Sequence, residues 1–311
     1  MHKFKILIGF LFGFIAYYSS ASAQSDTTLI KSHLKTLTKT PEFRNHSNID
    51  QLNLTADYIK TIFKKSSDSI SVQEYNVDQK TYKNITCSFG TENKKRIIIG
   101  AHYDVCGDQE GADDNASGVV GLLELSRLLQ GKKLEYRIDL IAYTLEEPPY
   151  FRTEFMGSYI HAKSLNEAKA DIYGMISLEM IGYFKDEEKS QSYPLGILSV
   201  KYGNKGNYIT LVKKFGSGAF VRKFSKSFKS TKSILTKTFS GPPALPGIDF
   251  SDHLNYWKFG YDALMITDTS FYRNKNYHQK TDTMDTLDIP RMSKVIDGVY
   301  NGLISLKPQL N

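Results

Sequence analysis

Residues 100–118, GAHYDVCGDQEGADDNASG, concentrate side chains that could do chemistry: His102, Asp104, Asp113 and Asp114 lie within one short segment. Crowded carboxylates repel each other, so a folded protein tolerates them only where they face water, cap a helix or share a cation. In an extended chain His102 and Asp104 point to the same face, which lets the carboxylate orient the imidazole as in many metal sites. The segment therefore predicts a metal site, with a hydrogen-bonded histidine and helix-capping aspartates as the alternatives.

Other candidate side chains follow later strand-like segments. Glu146 and Glu147 follow RIDLIAYT after one intervening residue, Leu145. Because neighbours in an extended chain point in opposite directions, one can bind a metal while the other faces its bound water. The alternative for this pair is ordinary surface charge. Glu179 lies in the apolar segment ISLEMIGY, where an ionised carboxylate is costly unless it is paired or bound to a cation. His278, in the polar segment NYHQKTDT, is by itself an ordinary exposed histidine.

The predicted elements place these residues at equivalent positions. Amphipathic helices are predicted at residues 27–39 and 49–65, and β-branched segments follow at 69–77, 84–90 and 96–104. Strands and helices then alternate, which indicates a single α/β domain with a mixed, mostly parallel central sheet and helices on both faces. Functional residues of such sheets gather at the carboxyl ends of strands. His102, Asp104, Glu146, Glu147 and Glu179 lie at or near a predicted strand end, and His278 lies on the loop after the last predicted strand.

The candidate set contains two imidazoles and three carboxylates. They are His102, His278, Asp114, Glu147 and Glu179. Such a set suits two zinc ions that share one carboxylate.

Cys87 and Cys106 are the only two cysteines in the sequence. The segments YKNITCSFG and RIIIGAHYD, joined by TENKK, are predicted to form a hairpin that places Cys87 opposite about Gly100. Cys106 would then lie roughly 20 Å farther along the strand, well beyond the ~5.5 Å between Cα atoms that a disulfide needs. We therefore predict two free thiols.

Positive charge is concentrated in residues 200–240, which contain ten Lys or Arg and no Asp or Glu. The simplest interpretation is a solvated, mobile surface face. Steering of acidic substrates and adhesion to an anionic surface are the alternatives. No recognised nucleic-acid-binding motif accompanies this charge, so no nucleic-acid partner is predicted.

Residues 1–23 have the pattern of an export signal. Two lysines precede an apolar run at residues 6–16, and Ala21-Ser22-Ala23 forms a small-residue cleavage site. The apolar run is shorter than the about twenty residues that span a bilayer. We predict cleavage after Ala23, export to the periplasm or the extracellular space, and no integral membrane segment.

The order and spacing of several motifs resemble a known family. GAHYD, GADDNASG, LEE, LEMIGY, SDH and YHQKTDT together are similar to the co-catalytic zinc aminopeptidases of metallopeptidase family 28. The similarity runs over roughly residues 97–306. It implies a zinc peptidase domain over residues 24–311, built as a phosphorylase/hydrolase-like three-layer sandwich, with residues 24–68 forming N-terminal helices that pack on the sheet.

The resemblance implies a role for each candidate ligand. His102 and Glu179 bind one zinc ion, Glu147 and His278 bind the other, and Asp114 bridges both, for two Zn²⁺ per chain. Many family members have Asp where this chain has Glu179, so the longer side chain requires a small backbone shift.

Three further residues receive catalytic roles from the resemblance. Glu146 is the general base, and Asp104 orients His102. Some relatives place a tyrosine before the SDH motif to polarise the substrate carbonyl, and Tyr277 is the substitute for it here.

The implied function is removal of single N-terminal residues from peptides that carry a free N-terminus. A glutaminyl cyclase, which works with one zinc on a related architecture, is the first alternative. A non-catalytic domain on the same fold is the second, although all five ligand positions and the base carry competent residues. A serine hydrolase is disfavoured because no Gly-x-Ser-x-Gly elbow follows a strand.

Overall fold

The computed structural model describes residues 24–67 and 69–307, so the predicted export signal and its cleavage site lie outside the described residues. The helices are α1 (Thr27–Thr38), α2 (Ile49–Lys64), α3 (Gly118–Leu129), α4 (Gly157–Glu167), α5 (Leu198–Tyr202), α6 (Ala219–Ser230), α7 (His253–Lys258) and α8 (Ile289–Ile304). The strands are β1 (Ile70–Val77), β2 (Lys80–Phe89), β3 (Arg96–His102), β4 (Arg137–Tyr143), β5 (Ile172–Glu179), β6 (Ile209–Lys214), β7 (Thr236–Gly241) and β8 (Ala263–Thr267). Within these residues, no helix combines the length and the apolar character needed to cross a membrane.

The eight strands form one mixed sheet in the order β1-β2-β4-β3-β5-β8-β6-β7. Its centre is parallel, because β3 runs parallel to β4 and β5, and β5 runs parallel to β8. The strand pairs β1/β2, β2/β4 and β8/β6 are antiparallel. The single α/β domain with a mixed central sheet is therefore confirmed.

Helices cover both faces of the sheet, as the side chains of β3 show. Ile97 and Ile99 belong to a large core that also contains buried residues of α1, α2, α3, α6 and α8. Ile98, between them, belongs to a smaller core with Leu165 of α4 and Tyr256 of α7. Successive strand residues point to opposite faces, so a continuous apolar run such as this one requires cover on both sides.

The predicted hairpin between β2 and β3 is wrong. β4 lies between these strands, antiparallel to β2 and parallel to β3, and the hairpin partner of β2 is β1. A turn at Asp78 and Gln79, both with positive φ, joins β1 to β2. The short polar linker after β2 favours a hairpin locally, but β3 is apolar on both faces and is most stable at the sheet centre between two parallel partners.

Both cysteines are free, as predicted, although the register behind that prediction was wrong. Cys87 is buried opposite Leu140 of β4, and Cys106 lies partly exposed in the loop after β3.

The basic segment 200–240 contains β6, α6 and β7, which the sequence analysis did not predict. In α6, Phe220, Phe224 and Phe228 recur every four residues and are buried against the large core, whereas the lysines of this helix lie outside that core. The interpretation as a solvated surface face is therefore wrong for the segment as a whole. Its charge obscured an apolar stripe with ordinary helical spacing.

Phe224→Ala should destabilise the protein by about 3 to 5 kcal/mol, because the ring is fully buried between Phe220 and Phe228 and its loss leaves a cavity. Lys226→Ala on the exposed side of α6 is the matched control, with an expected change within about 0.5 kcal/mol. Urea unfolding monitored by circular dichroism measures both. Equal unfolding midpoints for the two variants would show that α6 does not contribute its aromatic face to the core.

Candidate active site

The strand order brings the candidate side chains to one edge of the sheet. His102 is the last residue of β3, Glu146 and Glu147 follow β4, and Glu179 is the last residue of β5. Because β4, β3 and β5 are adjacent and parallel, their carboxyl ends meet at one place. His278 reaches the same place from the loop after β8.

The side chains form two clusters joined by one carboxylate. His102 Nε2 lies 3.3 Å from Asp114 Oδ1 and 3.5 Å from Glu179 Oε2. His278 Nε2 lies 3.2 Å from Asp114 Oδ2 and 3.1 Å from Glu147 Oε2. Asp114 therefore presents one oxygen to each histidine.

The donor atoms of these clusters fit a bound cation. His102 Nε2, Asp114 Oδ2, Glu147 Oε1 and His278 Nε2 are buried and have no hydrogen-bond partner among the described residues. Leaving buried polar atoms unpaired costs free energy, and native proteins rarely do so. His102, Asp114 and Glu147 also satisfy the distances of a metal-binding group. Imidazole nitrogens and carboxylate oxygens are donors that zinc accepts.

The buried side chains of the two clusters have shifted pKa values. Burial raises the pKa of Glu147 to about 8, and the charge of Asp114 adds to this rise. Burial alone lowers the pKa of His278, but Asp114 and Glu147 outweigh it and raise this pKa to about 10. Burial likewise works against ionised Asp114, yet the two imidazoles keep its pKa below the usual value.

The two adjacent glutamates face different clusters. Glu146 Oε2 lies 3.8 Å from His102 Nε2, whereas Glu147 faces His278. Their exposed fractions are 7% and 4%, which excludes the surface-charge alternative.

Asp104 connects His102 to the glutamates. Its Oδ1 lies 3.6 Å from His102 Nδ1, and its carboxylate accepts the backbone N–H groups of Glu146 at 3.3 Å and Glu147 at 3.1 Å. The backbone carbonyl of Asp104 also lies 3.2 Å from His102 Nδ1. One residue thus fixes the relative position of the β3 and β4 ends.

The backbone of the site is locally strained. Leu145, Met180 and His278 have φ values of +61°, +51° and +56°, which residues other than glycine adopt only uncommonly. These residues lie directly before Glu146, directly after Glu179, and at a candidate ligand itself. Such strain persists where surrounding contacts over-determine the backbone, and it clusters at functional sites.

Two residues for which the sequence predicted no role hold the Asp114 segment in place. Asp282 accepts the backbone N–H groups of Asp113 and Asp114, each at 3.0 Å. Asn115 Oδ1 accepts the N–H of Gly118 at the start of α3. The helix-capping alternative is wrong for Asp113, whose carboxylate accepts the N–H of Gly182 and a side-chain N–H of Asn274 instead. Asp282 lies in the YHQKTDT motif, so its position in that motif was the available signal.

The SDH motif contributes two buried side chains. Ser251 Oγ donates to Glu179 Oε2 at 2.7 Å and so orients this carboxylate. Asp252 is fully buried, neither of its carboxylate oxygens has a hydrogen-bond partner among the described residues, and burial raises its pKa to about 7. No role was predicted for either residue.

An aromatic pocket opens beside the clusters. The ring of Tyr277 stacks on His278 with centroids 3.8 Å apart. Glu179 lines a neighbouring pocket whose other walls are mainly apolar or aromatic, including Tyr202, Phe239, Phe250, Met265 and Phe271. This arrangement offers an apolar side chain a place next to the clusters.

Sequence comparison identifies relatives of this chain. Residues 84–302 match the sequence model of peptidase family M28. The uncharacterized protein YfbL of Escherichia coli K12 is 40% identical, with 98% of each chain covered. Leucine aminopeptidase 1 of Ajellomyces dermatitidis is 25% identical over 87% of this chain and 69% of its own.

Solved structures of two kinds share the fold. LapB from Legionella pneumophila matches with a TM-score of 0.71 at 19% identity, covering 90% of this chain and 72% of its own. The glutaminyl cyclase of Fimbriiglobus ruber matches with a TM-score of 0.70 at 17% identity, covering 91% and 96%. At these identities the likeness extends to the fold alone.

Zinc binding at pH 7 should release protons, because His278, with a pKa of about 10, and Glu147, with a pKa of about 8, hold protons in the metal-free protein and ligands must be deprotonated. The apparent zinc affinity should therefore rise with pH through this range. Calorimetric titration in buffers of different ionisation enthalpy counts the protons. His278→Ala should release fewer, and a binding enthalpy independent of the buffer would contradict the expectation.

Proposed function

Because this chain belongs to peptidase family M28, a family of zinc-dependent metallopeptidases, we propose that it is an aminopeptidase that removes single N-terminal residues from peptides. One observation carries this proposal: Asp114 presents one carboxylate oxygen to each of two histidines. This arrangement supports a site for two cations rather than one. The match to leucine aminopeptidase 1 of Ajellomyces dermatitidis supports the same activity.

Each cation receives three protein donors in this proposal. His102, Asp114 and Glu179 hold one zinc ion, and Asp114, Glu147 and His278 hold the other. When bound, the two ions supply Lewis-acid polarisation of the scissile carbonyl and bring the pKa of a bound water towards neutrality.

Glu146 is the proposed general base. It lies beside His102 while Glu147 faces His278, so it is free to exchange protons. Its carboxylate takes a proton from the attacking water and delivers it to the leaving amine. Burial raises the pKa of Glu146 above the usual range, and a nearby cation opposes that rise.

Asp104 and Ser251 are proposed to position two of the ligands. Asp104 lies on the Nδ1 side of His102, which keeps Nδ1 protonated and leaves the lone pair of Nε2 directed at the cluster. Ser251 donates to Oε2 of Glu179, the oxygen that lies 3.5 Å from His102 Nε2, and so fixes the orientation of this carboxylate. Neither residue contacts the reacting atoms.

The aromatic pocket is the proposed site for the first side chain of the peptide. Glu179, a proposed metal ligand, lines one side of this pocket, and the other walls are mainly apolar. The pocket therefore favours large apolar N-terminal residues over small or charged ones. Tyr277, stacked on His278, is proposed to polarise the scissile carbonyl.

A glutaminyl cyclase is the second candidate, because the Fimbriiglobus ruber enzyme has the same fold. A related fold does not determine the reaction. The cyclase alternative needs only one zinc, whereas this chain has two complete clusters around Asp114. Metal content therefore separates the two candidates.

Export is also part of the proposal. The lysines, apolar run and small residues before Gln24 have the pattern of a cleaved signal. The mature protein would begin at Gln24.

Zinc-loaded protein should hydrolyse leucyl and phenylalanyl anilides faster than glycyl or glutamyl anilides, because the pocket is apolar. The N-acetylated anilides serve as controls and should resist hydrolysis, since they lack the free amino group. Chromogenic assays measure the rates, and mass spectrometry of a peptide that begins with Gln detects any cyclisation. Ammonia loss without peptide cleavage, with one zinc per chain, would favour the cyclase.

Glu146→Gln should keep two metal ions yet lower turnover by about 10² to 10⁴-fold, or about 3 to 5 kcal/mol of barrier, because it removes the base and preserves the side-chain size. Glu147→Gln, the matched variant, should weaken zinc binding and recover only partly in excess metal. Metal analysis and steady-state kinetics distinguish the two. A metal-depleted Glu146→Gln protein would reverse the assignment.

A further inference from the structure

A thiol lies beside the cluster that contains His278. The Sγ of Cys106, a carboxylate oxygen of Glu147 and a ring nitrogen of His278 all lie within 4.8 Å of one another. Glu147 is 4% exposed, and its Oε1 has no hydrogen-bond partner among the described residues. A soft donor thus lies beside two of the proposed ligands, and one of these ligands has a buried oxygen without a hydrogen-bond partner among the described residues.

Contacts on both sides of Cys106 hold it there. The backbone N–H of Val105 donates to the carbonyl of Arg44 at 3.2 Å, and Asn45 Nδ2 donates to the carbonyl of Gly107 at 2.9 Å. Gly107 has a φ of +66°, a conformation that glycine adopts at no steric cost. The loop is therefore anchored to the segment before α2, with Cys106 between the two anchors.

Cys106 is also reachable from solvent. It is partly exposed and lines, with His278, a cavity of about 560 Å³. Metal ions and small reagents therefore have a route to the thiol that does not require unfolding.

We propose that Cys106 is a fourth protein ligand of the cation held by Asp114, Glu147 and His278. This inference rests on the two-metal function proposed above. Zinc binds sulfur at about 2.3 Å and nitrogen or oxygen at about 2.0 to 2.2 Å, so two ligand atoms of one ion lie within roughly 4.4 Å. The 4.8 Å that bounds the separations of the Cys106, Glu147 and His278 atoms is close to this limit. On binding, the thiol proton leaves to solvent and a sulfur–metal bond forms.

A sulfur ligand makes the two metal positions chemically different. The cation of His278 has four protein ligands, whereas the cation of His102 has three, namely His102, Asp114 and Glu179. Closed four-ligand sites retain zinc firmly, and sites with three protein ligands keep a position for water. Glu146, the proposed base, lies on the His102 side, beside the cation that would keep a position for water. Thiolate also shifts the closed site towards softer cations such as Cd²⁺.

Two matched variants test the proposal. Cys87→Ser leaves Cys106 as the only thiol, and Cys106→Ser leaves the buried Cys87. Titration of metal-free Cys87→Ser with Co²⁺ or Cd²⁺ should produce a sulfur-to-metal charge-transfer band that Cys106→Ser does not show. Two equivalents of Zn²⁺ should slow alkylation of Cys106 by iodoacetamide at least about tenfold, and Cys106→Ser should bind its second cation at least about tenfold more weakly.

The spectrum and the metal count separate the possible failures. Two cobalt ions bound to Cys87→Ser without a charge-transfer band would overturn the role of Cys106 and leave the two-metal function intact. Binding of a single cation by Cys87→Ser and by the unmodified protein would overturn both. If Cys87→Ser does not fold, Cys87→Ala or the unmodified protein provides the same band for comparison with Cys106→Ser.

Discussion

The buried carboxylate of Asp114 faces two imidazoles, and much of the polar structure around it keeps it there. An ionised carboxylate that is removed from water is costly unless charges and hydrogen bonds compensate it. The imidazoles of His102 and His278 lower the pKa of Asp114, and Asp282 holds the backbone of this segment. Asn115, the next residue, binds the end of β5 through the carbonyl of Leu178. One electrostatic requirement thus links the loop before α3 with β3, β5 and the loop after β8.

The strand order of the sheet brings the groups that surround Asp114 to one edge. Three adjacent parallel strands end at the same edge, so three elements deliver donors without a long loop. Asp104 then accepts two N–H groups from the β4 end, which fixes the glutamates relative to His102. The adjacent pair Glu146 and Glu147 can face separate clusters because this anchor holds the backbone between them.

The basic segment 200–240 contributes to the site through packing. Tyr202, Lys237 and Phe239 line the aromatic pocket beside Glu179, and the Phe220 face of α6 anchors the segment to the core. β6 joins β8 in antiparallel orientation, so the sheet extends past the parallel centre and forms a wall for the pocket. The fold is shared with LapB of Legionella pneumophila and with a glutaminyl cyclase, so the reaction depends on the pocket and the donor set rather than on the fold.

Local features were predictable from the sequence, and long-range pairings were not. The helices at 27–39 and 49–65 and the strand-end positions of His102 and Glu179 follow from side-chain periodicity over a few residues, which adjacent amino acids encode directly. The strand that pairs with β3, the support of Asp113 by Asp282 across 169 positions and the approach of Cys106 to the His278 cluster depend on how distant segments pack. Those contacts were decided only by the tertiary structure, because burying both faces of the sheet selects among many locally acceptable pairings.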